Sequence, residues 1–184
     1  EAHASGCLGE CGRGSAELLG SERLVAISME ILSKALGALG GFICSSAEVI
    51  STLINGARSF IYTTAPAPGQ LAAASAALEV VRADPERRLR LRDRAERLRE
   101  RLSAAGFDVG PGRSHIVPVI LGESASALSA SGYLLENGYH CPAVRYPTVP
   151  RGTARLRFSV SSEHSGDQIE GVVVALNAWR EDRR

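Results

Sequence analysis

Short apolar runs alternate with amphipathic segments along almost the whole chain, and this alternation limits the fold more than any other feature. "RLVAISM", "GGFICS", "RSFIYTT", "HIVPVILG" and "ARLRFSVSS" read as strands, rich in β-branched and aromatic residues. "HCPAVRYP" reads as extended chain. Between them lie helical segments. "GSAELLG" closes on Gly20, a residue suited to a helix C-terminus. "SSAEVISTLINGA" opens on a serine cap and spaces Val49, Leu53 and Ile54 along one face. "PGQLAAASAALEVVRA" carries Pro68 at its start, where a missing N–H costs nothing. "SASALSASGYLLENG" and "SGDQIEGVVVALNAWRED" complete the set. Strands interleaved with helices predict an α/β architecture.

One stretch stands apart. "ERRLRLRDRAERLRERLSAAG" places eight arginines among Glu86, Asp93, Glu96 and Glu100, over an apolar stripe of Leu89, Leu91, Ala95, Leu98 and Leu102. Basic runs can mark nucleic-acid binding. Here acids alternate with the arginines and no aromatic residue stands ready to stack on a base, so a solvated helix face is expected. The formal net charge of +1 provides no field that would recruit nucleic acid or acidic lipid. No apolar run approaches the roughly 20 residues that span a bilayer. Cys7 and Cys11 are spaced C-x3-C without a nearby partner pair, so no zinc site is expected. Reduced thiols in a cytoplasmic protein are the expectation for all four cysteines.

Lys34 is the only lysine, beside 20 arginines. A guanidinium stays protonated and cannot attack a carbonyl; an amine can. Lys34 lies between an expected strand and the glycine-rich "GALGG", which places it on a loop at a strand end, where α/β proteins gather ligands. Composition alone leaves two readings, a reactive amine or a surface lysine that escaped the arginine bias.

The neighbouring residues carry a resemblance. "SKALGALGG" resembles the cofactor-lysine motif of the fold-type I pyridoxal-phosphate enzymes, and within them the α-oxoamine synthases. "EAHASGCLGECGRG", "ARSFIYTTAPAP" and "RYPTVPRGTARLRFSVSSEH" are similar to three further blocks of that family, in order and in register. "HIVPVILG" and the last block look most like its biotin-pathway branch, the 8-amino-7-oxononanoate synthases.

The resemblance implies a fold-type I chain, of which this sequence matches the C-terminal half. Residues 1–85 would complete the large cofactor-binding domain, and residues 86–184 would form a small α/β domain. It implies pyridoxal 5'-phosphate carried by the Lys34 amine, in a pocket that also holds the cofactor phosphate. Lys34 would then move the substrate Cα proton. His3 would hydrogen-bond the cofactor's phenolic oxygen. Ser33, Thr63 and Thr64 would lie near the cofactor. Arg145 would grip the amino-acid carboxylate through a bidentate pair. Arg157 would help hold the acyl substrate or only pair with a neighbouring strand. Read without the resemblance, His3 and Arg145 are surface residues, and Thr63 and Thr64 end a strand. His115, His140 and His164 are expected to be structural. Glu1 belongs to the first block and has no assigned role.

The implied reaction is a decarboxylative condensation of an amino acid, L-alanine in that branch, with a pimeloyl thioester. Glycine with an acetyl thioester, as in glycine C-acetyltransferase, or serine with a long acyl chain would need similar machinery. The family is homodimeric. This chain departs from it at Glu30-Ile31, where the family reads Gly-Thr, and in length, which is about half. A chain inactive alone, as a fragment or as the non-catalytic partner of a complete subunit, is therefore the competing expectation. Much of its apolar surface should then be made for other parts.

Overall fold

The computed structural model describes residues 2–182. Glu1 lies outside them. The chain forms two compact units, Glu1–Arg88 and Leu89–Arg184.

The first unit opens with a glycine-rich segment and a short helix α1 (Ser15–Leu18). Gly20, at φ +62°, reverses the chain after it. Strands β1 (Ser28–Ile31) and β2 (Gly41–Cys44) pair antiparallel, from Ser28 opposite Cys44 to Ile31 opposite Gly41. Three helices follow: α2 (Ala47–Gly56), α3 (Arg58–Ile61) and α4 (Pro68–Ala83). Ser46 caps α2, its side chain accepting the Val49 N–H at 3.5 Å, and Pro68 stands at the start of α4. The core of this unit is small. Leu32, Leu36, Ala38 and Ala74 are buried together, with Ala77 and Val81 packed on them. Large apolar side chains elsewhere in the unit face outward, among them Leu19, Leu24, Phe60 and Tyr62.

The second unit holds most of helix α5 (Pro85–Ala104), then β3 (Ile116–Gly122), α6 (Ser124–Glu136), β4 (Ala143–Val144), β5 (Ala154–Ser159) and α7 (Gly166–Glu181). The sheet runs β3-β5-β4 and is antiparallel throughout. Pro118 cannot donate to a ladder and sits on the edge strand β3, where that is tolerated. On β5, Leu156 and Phe158 are buried while Arg157 is exposed, the alternation the sequence predicts. Helix α6 packs on all three strands and on α7. A capping box of Ser165 and Gln168 starts α7, and near its end the Trp179 indole N–H donates to Ser129 Oγ at 3.1 Å.

Four expectations change. "RSFIYTT" is not a strand; its first four residues form α3, and Thr63 and Thr64 follow as exposed chain. Strand character in "RLVAISM" begins only at Ser28, since Glu22–Leu24 make a 3-10 turn. Leu89 leaves the α5 stripe and is 51% exposed. The arginine face of α5 is only partly solvated. Arg88 and Arg99 are buried. Arg97 and Arg101 both clasp Glu170 of α7, and Arg94 donates to the Ser162 carbonyl. Arg88 also explains why the units divide after the first turn of α5 rather than at Pro85. Its guanidinium donates to the carbonyls of Val81 and, at 3.0 Å, Glu10, which ties that turn to the first unit.

Candidate functional site

Lys34 stands in the connection 32–40 of the β1–β2 hairpin. Three apolar side chains decide how that loop sits. Leu32, Leu36 and Ala38 turn inward onto Ala74, Ala77 and Val81 of α4. Ser33 and Lys34, between two of these anchors, therefore face outward and are exposed. Backbone bonds close the loop. Leu32 N–H donates to Gly40 O at 2.9 Å and Ala38 N–H to Leu32 O at 2.9 Å. Gly37 N–H donates to Lys34 O at 3.1 Å. Gly37 (φ +59°) and Gly40 (φ +112°) take conformations that side-chain-bearing residues rarely adopt. From α4, Gln70 Oε1 accepts the Leu39 N–H at 2.9 Å. The result is an amine on a short, anchored loop. The enclosing pocket expected around it is not formed by these residues, for the outer side of the loop is open.

The segment carrying His3 meets this loop. His3 is exposed, and Ala4 beside it is buried. Ser5 Oγ donates to one oxygen of Glu30, and Ser28 Oγ donates to the other at 2.9 Å. The Glu30 carboxylate is thus turned toward two hydroxyls. Gly6, with φ +76°, packs where a Cβ would lie 3.4 Å from both Ala35 Cβ and Val81 Cγ2. Sequence reasoning missed Ser5 and Ser28. The only available signal was their hydroxyls: Ser28 shares a strand face with Glu30 at a spacing of two.

Arg145 and Arg157 belong to the second unit. Arg145 is exposed just past β4, and its carbonyl accepts the Thr148 N–H at 2.9 Å in the turn that follows. Nearby, Arg151 lies over the Tyr146 ring at 4.1 Å, a cation–π contact the sequence did not signal. Arg157 is exposed on β5 opposite Pro118, and its N–H donates to Pro142 O at 3.1 Å.

The histidines His140 and His164 line a cavity of about 270 Å³ with Cys141, Phe158 and Gln168. His164 Nδ1 accepts the Ser161 N–H at 3.2 Å, which fixes its ring. Burial pushes the Cys141 thiol up to about 12 and also raises Cys7, so neither is poised as a nucleophile. Among the described residues, no three His, Cys, Asp or Glu side chains come together as metal ligands would. No helix among them is long and apolar enough to cross a membrane.

Residues 1–176 match the family of aminotransferases class I and II. The 8-amino-7-oxononanoate synthase of Anaeromyxobacter dehalogenans (strain 2CP-C) is 46% identical over 176 residues, which is 96% of this chain and 44% of that protein. The Geobacter sulfurreducens 8-amino-7-oxononanoate synthase is 42% identical over 178 residues, 96% of this chain and 46% of its own. Among solved structures, serine palmitoyltransferase of Sphingomonas wittichii superposes with a TM-score of 0.93 at 30% identity, over 99% of this chain and 46% of that one. The 8-amino-7-oxononanoate synthase of Francisella tularensis superposes at 0.87 with 30% identity, over 100% of this chain and 54% of that one. An SPT structure holding a PLP internal aldimine matches at 0.93 and 31% identity, with 99% and 46% covered. The chain spans about half the length of the curated relatives it matches. Its fold is that of the fold-type I pyridoxal-phosphate transferases, C-terminal half.

These matches indicate pyridoxal phosphate as the cofactor. That group needs a primary amine for its aldehyde and donors for its phosphate. Lys34 offers the amine on an anchored loop, and Ser33, Thr63 and Thr64 offer exposed hydroxyls, so the residues present fit it. The chain belongs to the aminotransferase class I and II family.

Proposed function

We propose that this chain supplies the C-terminal share of a cytoplasmic, homodimeric α-oxoamine synthase. The enzyme would condense L-alanine with a pimeloyl thioester, release carbon dioxide and form 8-amino-7-oxononanoate for biotin synthesis. The observation that carries this reading is Lys34 itself. The only amine-bearing side chain of the sequence is presented by a loop whose apolar residues serve to hold it in place. Residues 1–85 then belong to the large domain and residues 86–184 to the small one.

Pyridoxal phosphate, when bound, supplies an electron-poor ring that accepts the negative charge left at the amino-acid α-carbon. Lys34 Nζ holds the cofactor and later moves the proton at that carbon. His3 orients the ring through its phenolic oxygen. Ser33, Thr63 and Thr64 donate hydroxyls to the phosphate. Arg145 binds the amino-acid carboxylate with its two-pronged guanidinium and keeps it in place until it is lost as carbon dioxide. Arg157 binds the acyl substrate. The open outer side of the Lys34 loop and the exposed apolar residues of the first unit are covered by the complementary half of the enzyme and by the second subunit.

A second reading, serine with a long-chain acyl thioester, draws on the serine palmitoyltransferase match. Product analysis with each amino acid and thioester separates the two.

The direct test adds pyridoxal phosphate to a full-length version of the enzyme that contains this chain and follows the visible absorption of a lysine-bound cofactor, then reduces it with borohydride. A pyridoxyl group should appear on the peptide that contains Lys34. Lys34→Arg should abolish both band and adduct with unchanged circular dichroism. A band that persists in the variant would falsify the lysine assignment.

A further inference from the structure

Glu30 sits on β1, four residues before Lys34, and is half-buried. Both of its oxygens are occupied, one by the Ser28 hydroxyl at 2.9 Å and the other by the Ser5 hydroxyl. Ser28 lies on the same strand. Ser5 is 25 residues away in sequence, on the segment that carries His3. That segment is folded on itself by bonds such as Gly6 N–H to Gly12 O at 2.8 Å and Leu8 N–H to Ala4 O at 2.8 Å. Its far end is held by the Arg88 guanidinium on Glu10 O at 3.0 Å. Its near end is held by Glu30, with Gly6 pressed against Ala35 alongside. The Ser5–Glu30 bond therefore joins the His3 segment to the strand that delivers Lys34.

We propose that Glu30 is a positioning residue: by holding Ser5, it sets where His3 stands relative to the Lys34 amine. The role rests on the proposed use of His3 and Lys34 as cofactor ligands. A carboxylate suits it, because a charged acceptor makes a stronger and more directional bond with a hydroxyl than a neutral one. Ser28 keeps the carboxylate aimed.

The test uses Glu30→Ala, Glu30→Gln, Ser5→Ala and the double variant Glu30→Ala/Ser5→Ala. Amide exchange of residues 5–8, measured without cofactor, should quicken about tenfold in either alanine variant, the size expected for one hydrogen bond to a charged group. It should quicken no further in the double variant, since both changes remove the same bond. Glu30→Gln should fall between, because the amide still accepts. With pyridoxal phosphate, the alanine variants should bind about tenfold more weakly, and the absorption maximum of the bound cofactor should shift as His3 loses its place. Unchanged exchange, or additive effects in the double variant, overturns the bond as the link. Faster exchange with unchanged affinity and spectrum makes Glu30 merely structural and overturns the positioning role. A full-length parent that shows no bound-cofactor band overturns the cofactor reading and the positioning role together, while the exchange data still report on the link.

Discussion

Replacing Leu36 by alanine should loosen the loop that carries Lys34 without unfolding the rest of the chain. Leu36 is 5% exposed and packs with Leu32, Ala38 and Ala74, and with Ala77 and Val81. Buried leucine-to-alanine changes cost about 2–5 kcal/mol. Most of these neighbours are alanines near a surface, which can close partly around the gap, so the low end applies, about 2 kcal/mol. At about 1.4 kcal/mol per factor of ten, the open population of the loop rises about 30-fold. Two amides read this directly. Leu32 N–H bonds Gly40 O and Ala38 N–H bonds Leu32 O, both at 2.9 Å across the mouth of the loop. Hydrogen exchange at these two sites should accelerate about 30-fold, while amides in the β3–β5 ladder keep their rates. Leu39→Ala is the internal comparison. That side chain is in the same loop but 69% exposed, and its removal should cost under about 0.5 kcal/mol. Equal responses to the two substitutions would refute the anchoring argument.

Two more outcomes follow from the second unit. The Cys141 thiol, raised by burial to about 12 from an ordinary 9.0, stays protonated in the folded chain while the unfolded chain ionises. Stability should therefore fall between about pH 9 and pH 12, by up to about 1.4 kcal/mol per pH unit. Urea midpoints of the parent and of Cys141→Ala, compared at pH 8 and pH 10, should diverge in slope; parallel decline would contradict it. Leu156 is fully buried at the centre of β5, and Leu156→Ala should cost about 3–5 kcal/mol. The fluorescence of Trp179, the single tryptophan, reports that loss during denaturation, and a change below about 1 kcal/mol would show the site collapses around the gap.

Elements with a strong local signal were legible. Ser46 and Pro68 marked the starts of α2 and α4, and the alternation in "ARLRFS" fixed which face of β5 is buried. "RSFIYTT" misled because β-branched and aromatic residues in so short a run fit either period. There the chain turns at Ala57 straight from one helix into another, and local bonds such as Ile61 N–H to Ala57 O close the short turn. The arginines of α5 were misjudged for a related reason. Charge alternation shows which residues can be solvated, but the partners Glu170 and the carbonyls of Ser162 and Glu10 lie far away in sequence. At the candidate site, the loop position of Lys34 was readable from the strand before it and the glycines after it. The clip at Glu30 was not, because hydroxyl partners 25 residues apart leave no periodic trace.

Strand β5 carries its own safeguard against misthreading. Arg155 and Arg157 alternate with Leu156 and Phe158, and β5 is flanked on both sides by neighbours. Sliding it by a single residue would drive two guanidiniums into the layer that α6 covers and strand two apolar side chains in water. Unpaired charges in such a layer cost several kcal/mol each, so near-miss alignments are expelled rather than merely disfavoured. The same arginines that decorate the open face thus act as a ratchet pin, admitting one alignment of the sheet during folding.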